Sequence, residues 1–295
     1  MNGIFGAGRA EKHARFLSRF FRRPVSRPLV LETAPGLRIE KGDVSRLAAY
    51  DRIALVAGYS QTERQSRSTF AYLNELAESG FGVLYISTCE SAKPLEFARP
   101  LPDCVLIARR PNVGYDFGSW AVALHAYPDL ARKPYVLLTN DSMLGPFAPL
   151  SDLLGNACRT LRADVLAATM SKQIVTHLQS FFLLFRGGIL ADPQLGMFFA
   201  RVRREAAKED VVKHYELELM RILNYLGYSF SVLYPPGMLG CGSQNPTLAS
   251  WKRLLDEGWP FVKKTILREP QCAADGKDVA RTVARKFHTD INEWV

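Results

Sequence analysis

Three polar stretches hold side chains whose types and spacing are suited to chemistry. In Arg110-Pro-Asn112-Val-Gly114-Tyr-Asp116, Gly114 allows a close backbone approach while Arg110, Asn112 and Asp116 supply hydrogen-bonding and charged groups. Further along, the apolar segment 135–139 stops abruptly at Asn140-Asp141-Ser142, which puts a carboxylate where a rigid strand meets solvent. A hard oxygen ligand at such a tip suits Mg²⁺ or Mn²⁺, which would bridge the two phosphates of a nucleotide diphosphate. The third stretch is Gly58-Tyr59-Ser60, after another apolar run. Read locally, Asp141 also serves to cap the turn over 142–149, and Asn112 and Asp116 to cap the helix that follows them.

These groups need a scaffold that delivers them to one place. Residues 53–57, 82–87, 104–108, 135–139 and 165–169 read as strands, and 66–78, 118–126 and 150–161 as helices, with Gly80 closing the first of them. Such alternation predicts an α/β fold with a mostly parallel central sheet flanked by helices. In an open parallel sheet ligands lie beyond the carboxyl ends of the strands, so Tyr59, Asn112 to Asp116 and Asn140 to Ser142 are expected on one rim. The turn, helix, strand and acidic tip follow one another within the length of one βαβ unit. The second half is less regular, with strands expected at 181–185 and 228–234 and helices at 197–204, 215–226 and 247–257.

Composition narrows the function classes. The chain has 295 residues, 47% of them apolar and 23% charged, enough for a large buried core. No run of 18 or more apolar residues and no secretory leader pattern is present, which predicts a cytoplasmic protein. The five cysteines are scattered without a CxxC pair and read as reduced thiols. Of the net charge of +9, most sits in residues 1–30, where seven basic side chains face the single acid Glu11. No nucleic-acid-binding motif accompanies this charge, and neither a Walker sequence nor G-x-G-x-x-G occurs, which argues against nucleic-acid binding, P-loop enzymes and dinucleotide enzymes. Within 11–23, Phe16, Leu17, Phe20 and Phe21 alternate with basic residues as in an amphipathic helix, suited either to the inner face of the cell membrane or to packing on the body. Residues 1–48 are thus expected as a basic segment and proline-containing linker, 49–270 as the catalytic body, and 271–295 as a polar extension.

The runs N-x-G-Y-D-F-G (112–118), LLTNDSMLGPF (137–147), HLQSFFLLF (177–185) and Y-E-L-E-L (215–219) together resemble the rhamnan synthesis protein F family over about Asp51 to Arg268. That family is similar to GT-A-type glycosyltransferases that build rhamnose-containing cell-wall or lipopolysaccharide chains. The resemblance implies a GT-A-like fold and transfer of a deoxysugar, rhamnose, from a nucleotide-diphosphate donor to a bacterial surface polysaccharide or lipid-linked glycan acceptor. Asn112, Gly114 and Asp116 match the nucleotide-side turn, and Asp141 the last acid of the metal-binding strand end. The first acid of the usual D-x-D is Thr139 here, which leaves open metal-independent transfer or a non-catalytic glycan-binding scaffold.

Inverting transfer needs a base beside the acceptor hydroxyl, and the resemblance offers Glu216 and Glu218. Glu216, Arg221 and Gly227 approximate the spacing of the wider class, which favours Glu216. Side chains two apart on a helix diverge, so at most one of the two acids faces the site. The resemblance also implies sugar contacts for His177 and Gln179, each of which reads equally as a buried structural residue. Residues 241–247 with Trp251, Trp259, Lys263 and Lys264 are suited to a lid that brings lysines to the diphosphate, or to ordinary packing.

Overall fold

The computed structural model describes residues 27–159, 162–173 and 175–295. The basic segment 11–23 lies outside them. Among the described residues no helix is long and apolar enough to cross a membrane. The strands are β1 (Arg38–Lys41), β2 (Arg52–Gly58), β3 (Gly82–Ser87), β4 (Val105–Arg109), β5 (Tyr135–Asn140), β6 (Met143–Leu144), β7 (Val165–Ala167), β8 (Met170–Ser171), β9 (His177–Leu178), β10 (Phe182–Arg186), β11 (Phe230–Val232) and β12 (Val262–Lys263). Eight of them form one sheet in the order β1-β4-β3-β2-β5-β10-β7-β11.

The sheet is mostly parallel, as expected, with β10 running antiparallel between β5 and β7, and β1 antiparallel on the β4 edge. β2 lies at its centre because it is apolar on both faces. Ile53, Leu55 and Ala57 enter one core, and Ala54 and Val56 the other. The first core takes in the helix Tyr115–Ala126, whose Trp120 indole donates to the Leu55 carbonyl at 3.1 Å and whose Phe117 meets Phe198 at 6.1 Å. The second takes in the helix Arg67–Glu78, capped by the Ser66 hydroxyl accepting from the Thr69 N–H and followed by Gly80 at φ +81°.

Two flanking stretches belong to this body. In 28–48, expected as linker, Val30 is fully buried in the first core and β1 extends the sheet. In 271–295, expected as a polar extension, the helix Val279–Phe287 buries Val279 and Val283 with Ile291, Trp294 and Trp251 in a third core. Their apolar residues are spaced widely among charges, a pattern that hides a buried stripe from local composition.

Candidate functional site

The register of the parallel strands fixes the rim. Ala57 on β2 pairs with Asn140 on β5, and the Asp141 N–H donates to the Ala57 carbonyl at 3.1 Å, so β2 and β5 end level. The loop after β2 then curls over the tip, and the Tyr59 N–H donates to Asp141 Oδ2 at 3.3 Å. The Tyr59 hydroxyl donates to Glu90 Oε1 at 2.6 Å, beyond β3. From the next unit, Asn140 Nδ2 donates to Asp116 Oδ2 at 2.8 Å. The expected convergence of Tyr59, Asp116, Asn140 and Asp141 is therefore present.

The turn before Asp116 is set by backbone conformation. Gly114 and Tyr115 both have positive φ, +80° and +54°, and a Cβ on Gly114 would come within 2.5 Å of Val30 Cγ2. Non-glycine residues in this region are strained, and such strain gathers where a side chain must be aimed. It leaves Tyr115 on the surface at the helix start, with Asp116 half-buried in the first turn. Arg110 does not reach Asp116. Its buried guanidinium donates to the Val113 carbonyl at 2.8 Å and to Ser119 Oγ at 3.2 Å, tying the turn to the helix, and burial pulls its pKa down to about 10. Asn112 stands exposed at the turn.

Behind Asp141 a short ribbon brings in a distant lysine. β12 pairs with β6, Val262 opposite Leu144 and Lys263 opposite Met143, and the Lys264 N–H donates to the Ser142 carbonyl at 3.1 Å. Lys264 Nζ thereby reaches Asp141 Oδ2 at 3.2 Å. A cavity of about 410 Å³ opens here, lined by Tyr59, Arg64, Gln65, Asp141, Lys264 and Arg268 among others.

Across the rim Glu216 is held by a network of neighbouring groups. Residues Val212–Glu216 form a π-helical turn leading into the helix Leu217–Tyr225, a widening that recurs at functional sites. Glu216 accepts from the Ser180 N–H at 3.1 Å and the Ser180 hydroxyl at 2.5 Å, and faces His177 Nε2 at 3.4 Å. The opposite ring nitrogen of His177 lies 2.8 Å from the Val175 carbonyl, so Nδ1 carries a proton. Burial pulls the His177 pKa down, but the hydrogen bonds to Glu216 and Val175 outweigh it and leave it raised. For Glu216, burial acts upward and the bonds from His177 and Ser180 win, holding it below the usual carboxylate range. Asp116 goes the other way. Burial, reinforced by Asp141 and Glu216 and opposed by Lys208 and Asn140, pushes it up to about 7. Lys263 sits in the same field, its pKa lowered to about 8 by burial and by Lys208.

The remaining expected residues stand apart. Glu218 is exposed and pairs with Arg221 at 3.3 Å, so the helix turns both away from Glu216. Gln179 is buried, accepting from Thr169 Oγ1 at 2.8 Å and donating to Asn245 Oδ1 at 3.3 Å, a tie between two loops. Trp251 and Trp259, considered for a lid, are buried in two different cores. Arg64, Lys208 and Arg268 were not singled out by the sequence. Each is one basic residue among many, with no local pattern to mark it.

The donor set does not fit a resident Mg²⁺ or Mn²⁺. Such an ion is ordinarily held by one or two carboxylates free to ligate it, together with waters and substrate phosphates. Thr139, at the first position of the expected acidic pair, is fully buried, donating to the Phe181 carbonyl at 2.7 Å and bonded to the Tyr72 hydroxyl at 2.8 Å. Asp141 is shared between an ammonium and a backbone N–H. Among the described residues no three His, Cys, Asp or Glu cluster as a metal site.

A family profile described as rhamnan synthesis protein F matches residues 95–293. A curated relative, the uncharacterized protein y4gN of Sinorhizobium fredii, is 29% identical over 57% of this chain and 45% of its own length. Virulence protein VirA of Vibrio anguillarum is 28% identical over 56% of this chain and 63% of its own. The chain thus spans only about half to under two thirds of the length of these relatives. Among solved structures, a glycosyltransferase involved in glycosylation of the major capsid of PBCV-1 aligns with 80% of this chain and 98% of that one, at 12% identity and a TM-score of 0.36. The glycosyltransferase GlyE of Streptococcus pneumoniae TIGR4 aligns with 62% of this chain and 45% of its own, at 13% identity and a TM-score of 0.31.

Proposed function

The chain belongs to the rhamnan synthesis protein F family, and from that premise we propose that it is a glycosyltransferase moving a deoxysugar, rhamnose, from a nucleoside diphosphate to a bacterial surface polysaccharide or lipopolysaccharide acceptor. The observation that carries this reading is the division of the rim. A cationic cavity at Asp141 and Lys264 adjoins the carboxylates Asp116 and Glu216. The donor diphosphate fits the first and the acceptor hydroxyl the second. In the inverting course the acceptor oxygen bonds to the anomeric carbon and the bond to the diphosphate breaks. The diphosphate leaves with the electron pair, and a carboxylate takes the hydroxyl proton.

Glu216 is the base offered by the sequence, and its depressed pKa keeps it ionised at neutral pH. A specific observation favours Asp116 for the same step. Its carboxyl titrates near 7, where a general base is most effective, and only its Oδ2 has a hydrogen-bond partner, whereas both oxygens of Glu216 are engaged. The test is in vitro transfer from nucleoside diphosphate rhamnose, with nucleoside diphosphate glucose as comparison, to a lipid-linked glycan. If Asp116 is the base, kcat/KM rises through about pH 7 and Asp116→Asn removes that limb. If Glu216 is the base, Glu216→Gln abolishes transfer and Asp116→Asn does not. Absence of transfer from any donor would overturn the enzyme reading in favour of a glycan-binding scaffold.

We further propose that the basic segment 11–23 docks on the inner face of the cell membrane, where lipid-linked acceptors lie. Flotation with anionic liposomes of the full chain and of a form lacking the first 26 residues checks it, and equal partitioning would discard it.

A further inference from the structure

We infer that the donor diphosphate is neutralised by protein cations, Lys264 with Arg64 and Arg268, in place of a divalent metal ion. This rests on the glycosyltransferase reading and adds to it the means by which the donor is held. Three arrangements carry it.

The first is the sealing of position 139. In a D-x-D strand end the first acid would stand two residues before Asp141, and here that side chain points into the core. Both hydrogen-bonding partners of the Thr139 hydroxyl, the Phe181 carbonyl and the Tyr72 hydroxyl, are interior groups. No rotation brings it to the rim without breaking both bonds.

The second is the placement of Lys264. Its position does not depend on a flexible loop, because β12 is paired to β6, which begins two residues after Asp141, and the Lys264 N–H is tied to Ser142. The ribbon therefore presents an ammonium at the strand tip, and Asp141 Oδ2 holds it at 3.2 Å. In this arrangement Asp141 is a positioning residue for Lys264. Lys263, next in the chain, sits instead in the field of Glu216 and Lys208, so the two lysines serve different halves of the rim.

The third is the charge of the cavity. Arg64 and Arg268 line it, and among the described residues neither guanidinium has an ion-pair or hydrogen-bond partner. With Lys264 they set three cationic side chains against the one carboxylate side chain of Asp141. An unpaired guanidinium matches phosphate oxygens in a two-pronged geometry, and charge that develops on a departing diphosphate is stabilised by cations fixed in advance. A cavity of about 410 Å³ accommodates a nucleoside diphosphate at an open cleft.

The experiment is calorimetric titration of the full chain with UDP, dTDP and GDP, each in EDTA and in Mn²⁺, alongside the transfer assay. At least one nucleoside diphosphate is expected to bind equally well in both, with affinity falling as salt rises. Lys264→Gln and Arg268→Gln should each weaken binding about tenfold, and Lys264→Arg should retain it, which separates lost charge from misfolding. Asp141→Asn should weaken binding to the same degree with and without Mn²⁺. Binding that appears only with Mn²⁺ overturns the cationic site while leaving the transferase standing. Binding that is independent of Mn²⁺ but unaccompanied by sugar transfer supports the site and counts against the transferase. Failure of every nucleoside diphosphate under both conditions overturns both.

Discussion

Restoring an acid at position 139 should damage the protein instead of creating a metal site. Thr139 is wholly buried, and its hydroxyl satisfies the Phe181 carbonyl at 2.7 Å and the Tyr72 hydroxyl at 2.8 Å, with the Tyr72 ring edge-on to Phe261 at 5.3 Å. Thr139→Asp is close to isosteric, so the penalty is electrostatic. An ionised carboxylate would face the Phe181 carbonyl, acceptor against acceptor. The group escapes by remaining protonated, and holding a carboxyl protonated about three units above its ordinary value costs about 4 kcal/mol at pH 7. For a domain of this size that corresponds to a fall in Tm of about 8–16 °C. The sign follows from the raised pKa. The loss is small at pH 4, where the unfolded chain also protonates, and grows as pH rises toward the folded value. Thr139→Val removes the donor without adding charge and should cost about 1–3 kcal/mol at any pH. Thermal melts of the three proteins between pH 4 and 8 measure this directly. A Thr139→Asp protein that melts with wild type at pH 7, or that gains Mn²⁺-dependent nucleotide binding, would refute the sealed position and the argument built on it.

Gly114→Ala sets a Cβ 2.5 Å from Val30 at a φ of +80°, so urea denaturation should show a loss of about 2–3 kcal/mol. Asp116 holds its proton up to about pH 7 while the unfolded chain releases it near its ordinary value, so native stability falls as pH rises between those points. Asp116→Asn should flatten that slope, and an unchanged slope would mean that the group is not buried as described. The His177–Glu216 pair stabilises most from above the ordinary glutamate range to below the ordinary histidine range. Its contribution should fade as pH rises through the raised His177 value and as it falls through the depressed Glu216 value. The stability difference between wild type and Glu216→Gln, followed from pH 4 to 9, should trace that window. Glu218→Gln, on an exposed pair with Arg221, should leave stability within about 0.5 kcal/mol and transfer activity intact.

The core strands were legible because their signal is local. A strand buried on both faces, such as 53–57 or 82–87, must be apolar at every position, and a short run displays that directly. Tyr59, Asn140, Asp141 and Asp116 were found together for a related reason. Parallel strands joined by crossovers deliver their carboxyl ends to one rim, so chain order already implies proximity. The reversed direction of β10 was not legible, since apolar composition carries no polarity of pairing. The same limit hid the partners of each candidate acid. Lys264 lies 123 positions from Asp141, and Ser180 lies 36 from Glu216. Whether Glu216 is an ionised, fully bonded group and Asp116 a carboxyl near neutrality depends on burial and on charges brought in from other elements. The sequence by itself determined that Tyr59, Asp116, Asn140 and Asp141 reach one rim, because strand and turn patterning act over a few neighbours. Only the tertiary structure decided that Thr139 is sealed in the core and that an ammonium stands at Asp141, because desolvation and ion pairing are set by whatever distant chain packs alongside.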